Sequence, residues 1–206
     1  MAGPPIAFPA PPPPHPDSPR LARALRRCLP LAGPLSAIVY RVASVRRANI
    51  EDLIAGTGSR LTGGRWTPLG AFPAVYASLD DATAMDEAKQ QNLRLGVPPY
   101  MALPLVTTAL EVHLERALDL TDGRVRRALR VSRNRLVTEP WWRIQDRGQE
   151  ALTQAIGRLA RELGFVVLQA PSAARRDGTT VVLFPDRPGA EDRIAIVNPS
   201  RLPQKT

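Results

Sequence analysis

Cysteine is nearly absent from the chain. Cys28 stands alone, so no disulfide can form within it, which fits a reducing cytosol. Histidine is almost as scarce: His15 falls in a proline tract and His113 in a strand-like run. One cysteine and two distant histidines make no zinc cluster and no Cys–His or Ser–His–Asp catalytic set, so no metal is expected. Lysine occurs only at Lys89 and Lys205, so nearly all the positive charge behind a net of +9 is arginine. That charge favours anionic partners, whether phosphates, nucleic acid or an acidic protein, without choosing among them. No apolar run approaches the length of a membrane span, and the early prolines do not read as a signal peptide. What remains is a chain of 206 residues, 44% hydrophobic, with enough apolar mass for one sizeable core.

Proline, by contrast, is concentrated. Residues 1–17, MAGPPIAFPAPPPPHPD, read as a disordered or polyproline-type lead. A short helix from Ser18 to Leu29 stops at Pro30, which sets residues 1–32 apart from a domain of residues 33–206. Ser36 to Val42 alternates as a strand, with Ile38, Tyr40 and Val42 on one face and Arg41 on the other. Gly56 to Gly64, GTGSRLTGG, reads as a flexible loop and is neither G-x-G-x-x-G nor a Walker A sequence. Extended chain is expected over Met101–Glu115, a basic amphipathic helix over Gly123–Leu136 and a further helix over Gln149–Leu163. Phe165–Gln169, Thr179–Phe184 and Arg193–Val197 read as strands. Strands at the start, middle and end, broken by isolated helices, indicate an α+β domain rather than a regular βαβ series.

The most informative stretch runs from Leu61 to Glu87. Gly63 and Gly64 let the backbone come close to a ligand, and Arg65 and Trp66 follow at once with a planar cation and a large aromatic face. Pro73–Ser78 reads as a strand, and Ser78 with Asp81 forms an [ST]-x-x-[DE] helix start. Helical spacing then groups Thr83, Glu87, Gln91 and Arg94 on one polar face. On residue types alone, a solvated glutamate beside an ordinary Gly-Gly turn, and an edge-strand Arg41 in solvent, are the plainer readings.

The motifs in order change that balance. Tyr40-Arg41, GGRW (Gly63 to Trp66), VYAS (Val75 to Ser78), Glu87 in the next helix, TQAIG (Thr153 to Gly157), Pro171-Ser172 and a closing VNPS (Val197 to Ser200) resemble the RES domain. That family takes its name from an Arg, a Glu and a Ser, matched here by Arg41, Glu87 and Ser172, and the resemblance covers residues 36–203. Thr67 stands where family members often carry Asn. The resemblance implies an ADP-ribosyltransferase-like fold, a mixed sheet core with flanking helices, and activity on NAD. It further implies a toxin of a bacterial toxin–antitoxin pair, neutralised by an Xre-like helix-turn-helix antitoxin. Characterised RES proteins look like NAD phosphorylases, which split the nicotinamide–ribose bond with inorganic phosphate; a minority are linked to protein ADP-ribosylation.

On that reading Glu87 holds the ribose and stabilises an oxocarbenium-like transition state. Arg41 and Arg65 hold phosphates through their planar forks, Ser172 donates to ribose or phosphate, and Arg175 and Arg176 help recruit phosphate. Tyr76 offers an aromatic face to nicotinamide, with Trp66 the second choice. Two alternatives remain: a protein ADP-ribosyltransferase, and a basic module using the Arg124–Arg135 helix on nucleic acid. Nothing in the chain resembles a base-reading motif, so direct nucleic-acid binding is not expected.

Overall fold

The structure, a computed structural model, describes residues 7–203; the first six residues of the proline-rich lead and the last three of the chain lie outside them. In chain order the elements are α1 (Ser18–Cys28), β1 (Gly33–Ser44), α2 (Ile50–Ala55), α3 (Thr57–Thr62), β2 (Val75–Ser78), α4 (Asp81–Arg94) and α5 (Pro99–Ala102). They continue with β3 (Leu105–Asp119), α6 (Gly123–Leu129), α7 (Arg133–Thr138), α8 (Trp141–Gln145), α9 (Leu152–Glu162), β4 (Val167–Pro171), β5 (Thr179–Leu183) and β6 (Arg193–Ile196).

The strands form one mixed sheet in the order β1-β2-β5-β4-β3-β6, and β1 also pairs with β3, so the first five strands close on themselves. The length of β3 permits this: one edge runs antiparallel to β1 from Leu105 to Ala117, while the other pairs with β6 and, in parallel, with β4. Strand alternation then divides the core in two. Leu35, Val39, Val75, Ala77, Leu110, Val112, Leu114, Val181 and Leu183 pack inside the closed sheet. Leu118, Leu168, Ala170 and Val182 face outward onto the helices, where Leu21, Leu25, Leu129, Leu136 and Ile156 cover them. Each such leucine or isoleucine contributes roughly 1.5–3 kcal/mol by leaving water. The α+β class with a sheet core and flanking helices is as the sequence indicates.

Several local expectations are corrected. Helix α1 is not set apart, because Leu21, Leu25 and Cys28 are fully buried in the same cluster as α9 and β4. The described part of the lead lies against the body. The Arg60 guanidinium sits 3.9 Å from the centre of the Phe8 ring, and the His15 N–H donates to Glu150 Oε2 at 2.7 Å. Arg158 holds that buried carboxylate bidentately, at 2.6 and 2.9 Å, and reaches Ser18 Oγ at 3.0 Å. The glycine-rich loop contains α3. The basic helix breaks into α6 and α7 at Arg130, whose φ of 55° lies in the left-handed region. Helix α4 is capped by Asp80, which accepts from the Thr83 N–H at 2.7 Å, while Ser78 stays in β2. No helix among the described residues is long and apolar enough to cross a membrane.

Candidate active site

Glu87 lies about two turns into α4, and its Oε1 is the meeting point of four donors. Ser172 Oγ donates to it at 2.6 Å, the amides of Ala173 and Ala174 at 3.0 and 3.3 Å, and Thr180 Oγ1 at 3.2 Å. Ser172 is 2% exposed, and its oxygen in turn accepts from the Ala174 and Arg175 amides at 3.1 and 3.0 Å. The local sequence explains the convergence. Strand β4 ends at Pro171, the chain turns through two alanines whose N–H groups have no ladder to join, and β5 returns with Thr180 opposite Ala170. Both lone pairs and the proton of Ser172 are therefore spent inside the protein, so its hydroxyl orients Glu87 rather than standing free for a ligand. Glu87 Oε2 accepts no hydrogen bond from any described residue and is the oxygen left for one.

The Gly63-Gly64-Arg65-Trp66 turn is clamped from behind by the TQAIG segment. Gln154, fully buried, donates through Nε2 to the Gly64 carbonyl at 3.1 Å and to Gln145 Oε1 at 2.9 Å. Gly157 admits the Trp66 carbonyl so closely that any side chain there would overlap it. The buried Glu139 carboxylate accepts from both the N–H and the hydroxyl of Thr153, at 2.8 and 2.7 Å, and so caps α9, whose Ala151 has no side-chain acceptor. On the other side, the Tyr76 hydroxyl takes the Trp66 N–H at 3.0 Å and meets Thr67 Oγ1 at 3.0 Å. Gly64 must lack a Cβ because the Tyr76 hydroxyl occupies that space. Burial pushes the Tyr76 phenol up to about 12.

The remaining sequence-predicted residues divide. Arg65 is buried, and its Nη1 donates to the Leu136 and Glu139 carbonyls at 2.8 and 3.2 Å, so that nitrogen braces α7 instead of holding phosphate. Its pKa is lowered to about 10, chiefly by burial and then by the neighbouring Arg94, with Glu87 and Glu139 opposing. Trp66 is 1% exposed and packs in the core, which removes it as a face for a ligand. Arg41 shares the inward row of Leu35, Ala37 and Val39, because the odd-numbered side of β1, not that of Ile38, faces the core. Its Nη1 donates to the Tyr76 carbonyl at 3.1 Å, its Nε is buried without a partner, and burial lowers its pKa to about 10. No hydrogen bond or ion pair joins Arg41 to Glu87 or Ser172. Arg175 pairs with Asp86 at 3.0 Å, and the Arg176 carbonyl accepts from Arg133, so both tie the Ser172 turn to its surroundings.

Two contributors were not singled out from the sequence. Thr180 had no motif to mark it. Arg94 did carry a signal, since it shares the polar face of Glu87 on α4. Its guanidinium lies 5.0 Å from the centre of the Trp142 ring; burial lowers its pKa and Glu87 raises it. Arg65 and Arg94 both feel the charge of Glu87, and Arg65 that of Glu139 as well, in a partly desolvated space where such charges act strongly.

The fold is similar to that of a chain in the crystal structure of the M. tuberculosis MbcT-MbcA toxin-antitoxin complex. The TM-score is 0.66 at 21% sequence identity, over 86% of this chain and 89% of that one. No curated protein matches the sequence. The family model of the RES domain matches residues 38–204, and with that span the chain belongs to the RES-domain family.

Proposed function

We propose that this chain is an NAD-consuming enzyme that cleaves the nicotinamide–ribose bond with inorganic phosphate as acceptor, acting as the toxin of a cytoplasmic toxin–antitoxin pair. The observation that carries the reading is Glu87, one oxygen fixed by four donors and the other open, beside Arg65 and Arg94. Family membership and the likeness of fold to a chain of a toxin–antitoxin complex support it. An Xre-like helix-turn-helix protein is the partner proposed to neutralise it.

The nicotinamide of NAD is a pyridinium cation; it departs as a neutral molecule with the bonding electron pair, so its positive charge passes to the ribose. Glu87 Oε2 accepts from ribose hydroxyls and stabilises that charge, and Oε1 stays immobile because Ser172, Ala173, Ala174 and Thr180 hold it. A phosphate oxygen forms the new bond to the anomeric carbon as the carbon–nitrogen bond breaks. Arg94, with the charge of Arg65 and the open donors of Arg41, supplies the cations for the diphosphate and the incoming phosphate. Tyr76, held by its hydroxyl, presents its ring to the nicotinamide end.

Product analysis tests this. Purified protein with NAD and phosphate should give nicotinamide and ADP-ribose phosphate, seen as a new phosphorus resonance. Intact NAD would refute the reading, and label from NAD fixed on protein would make the chain a protein ADP-ribosyltransferase instead.

A further inference from the structure

A second cluster of cations lies outside the Glu87 centre. Gly123, Arg126, Arg127, Arg130, Val131 and Ser132 line a concavity of about 420 Å3. Gly123 is its floor: a Cβ there would lie 3.3 Å from Arg127 Nη1 and 3.8 Å from Arg126 Nη2, so two guanidiniums fold over one bare stretch of backbone. Arg126 is pinned, with Nη1 donating to the Leu120 and Thr121 carbonyls at 2.8 and 2.5 Å, which leaves its Nη2 turned to the concavity. No carboxylate lines the space. The adjacent Asp122 is already paired with Arg124 at 2.8 Å, and Arg126, Arg127 and Arg130 enter no ion pair among the described residues.

Arg130 adds an independent observation. It ends α6 at φ 55°, ψ 45°, a left-handed cap that glycine or asparagine fills at least cost. Its guanidinium makes no hydrogen bond or ion pair with any described residue. That cap fixes the Arg130 backbone through its N–H bonds to the Arg126 and Arg127 carbonyls and leaves the side chain at the end of α6, beside Arg126 and Arg127.

We propose that Arg126, Arg127 and Arg130 form a binding site for ligands carrying adjacent phosphate groups. Three guanidiniums without an ion pair among the described residues, one of them still half engaged by backbone carbonyls, surround one concavity, and planar forks match phosphate oxygens bidentately. No aromatic side chain lines the site, so it reads phosphates and not bases. The phosphates come either from a free polyphosphate chain or from a nucleic-acid backbone.

The test is titration calorimetry of the full chain with inorganic tripolyphosphate at about physiological salt, where weak surface attraction is screened. Wild type should bind, and Arg127→Ala and Arg130→Gly should each weaken binding by about tenfold or more. Arg130→Gly should at the same time raise the melting temperature, because glycine suits the left-handed cap, so lost binding is not lost folding. A double variant, Arg187→Ala with Arg201→Ala, removes exposed charge elsewhere and should bind as wild type does. Competition by a short single-stranded oligonucleotide would make the backbone the source; failure to compete would make it free polyphosphate. Absence of tripolyphosphate binding, or equal weakening in the control, would overturn the site. None of these readouts depends on NAD cleavage.

Discussion

Ser172→Ala is the sharpest perturbation of the candidate centre. The hydroxyl makes one hydrogen bond to a carboxylate and accepts from two amides. Its removal deletes a bond worth about 1.5–3 kcal/mol and strands the Arg175 N–H at roughly 1–3 kcal/mol. The Ala174 N–H is not stranded, since it also reaches Glu87 Oε1 at 3.3 Å. With some local relaxation, about 2–4 kcal/mol of stability should be lost, a fall of about 4–16 °C in melting temperature for a chain of this size. Glu87 keeps three of its four donors and loses its shortest, so kcat for nicotinamide release should drop about 10–100-fold through misorientation. KM for NAD should change little, because the hydroxyl has no proton free for substrate. Steady-state kinetics with thermal unfolding decides the matter. A raised KM with unchanged kcat would make Ser172 a substrate-contacting group and refute its role as the orienter of Glu87.

Other expectations follow from the same contacts. Gly157→Ala should lower the melting temperature by several degrees and impair activity, because its methyl overlaps the Trp66 carbonyl behind the Gly63-Gly64 turn; wild-type behaviour would argue against that clamp. Glu139→Gln should destabilise by about 1–3 kcal/mol in a denaturant titration, since one acceptor oxygen replaces two in a site that serves Thr153 and Arg135. The Tyr76 phenol should titrate near 12 in the alkaline absorbance difference between wild type and Tyr76→Phe, and a midpoint near 10 would show that it is not desolvated. Because its folded pKa is raised, its contribution to stability is complete below about pH 10 and drains away as pH rises through about 12. Arg41 and Arg65, lowered to about 10, act in the opposite sense: their burial penalty is present below that pH and is relieved only above it.

What the sequence disclosed depended on whether the signal was local. The stripe of Leu152, Ile156 and Leu159 marked α9, and the polar face of α4 grouped Glu87 with Arg94, because helical spacing is visible in one window. The pairing of Glu87 with Ser172 came through the family motifs, since 85 residues separate them and only the β4–β5 turn brings them together. The inward face of β1 was illegible because both faces carry apolar residues: Leu35 and Val39 on one, Ile38, Tyr40 and Val42 on the other. Only closure of the sheet onto β3 decides between them. The break at Arg130 has no glycine or proline to announce it, and Thr57–Thr62 forms α3 despite a loop-like composition, held by the Ser59 hydroxyl and the Gly56 and Ala74 backbone. The lead reads as solvated proline until the Glu150–Arg158 pair that receives it is in view.

The most direct measurement compares nicotinamide release by wild type and by Glu87→Gln, with NAD and phosphate in excess. The glutamine retains an oxygen for the four donors but loses the charge at the open position. Release should fall about 100–1000-fold with the melting temperature held within a few degrees. An undiminished rate in the variant, or no release by wild type, would contradict the account.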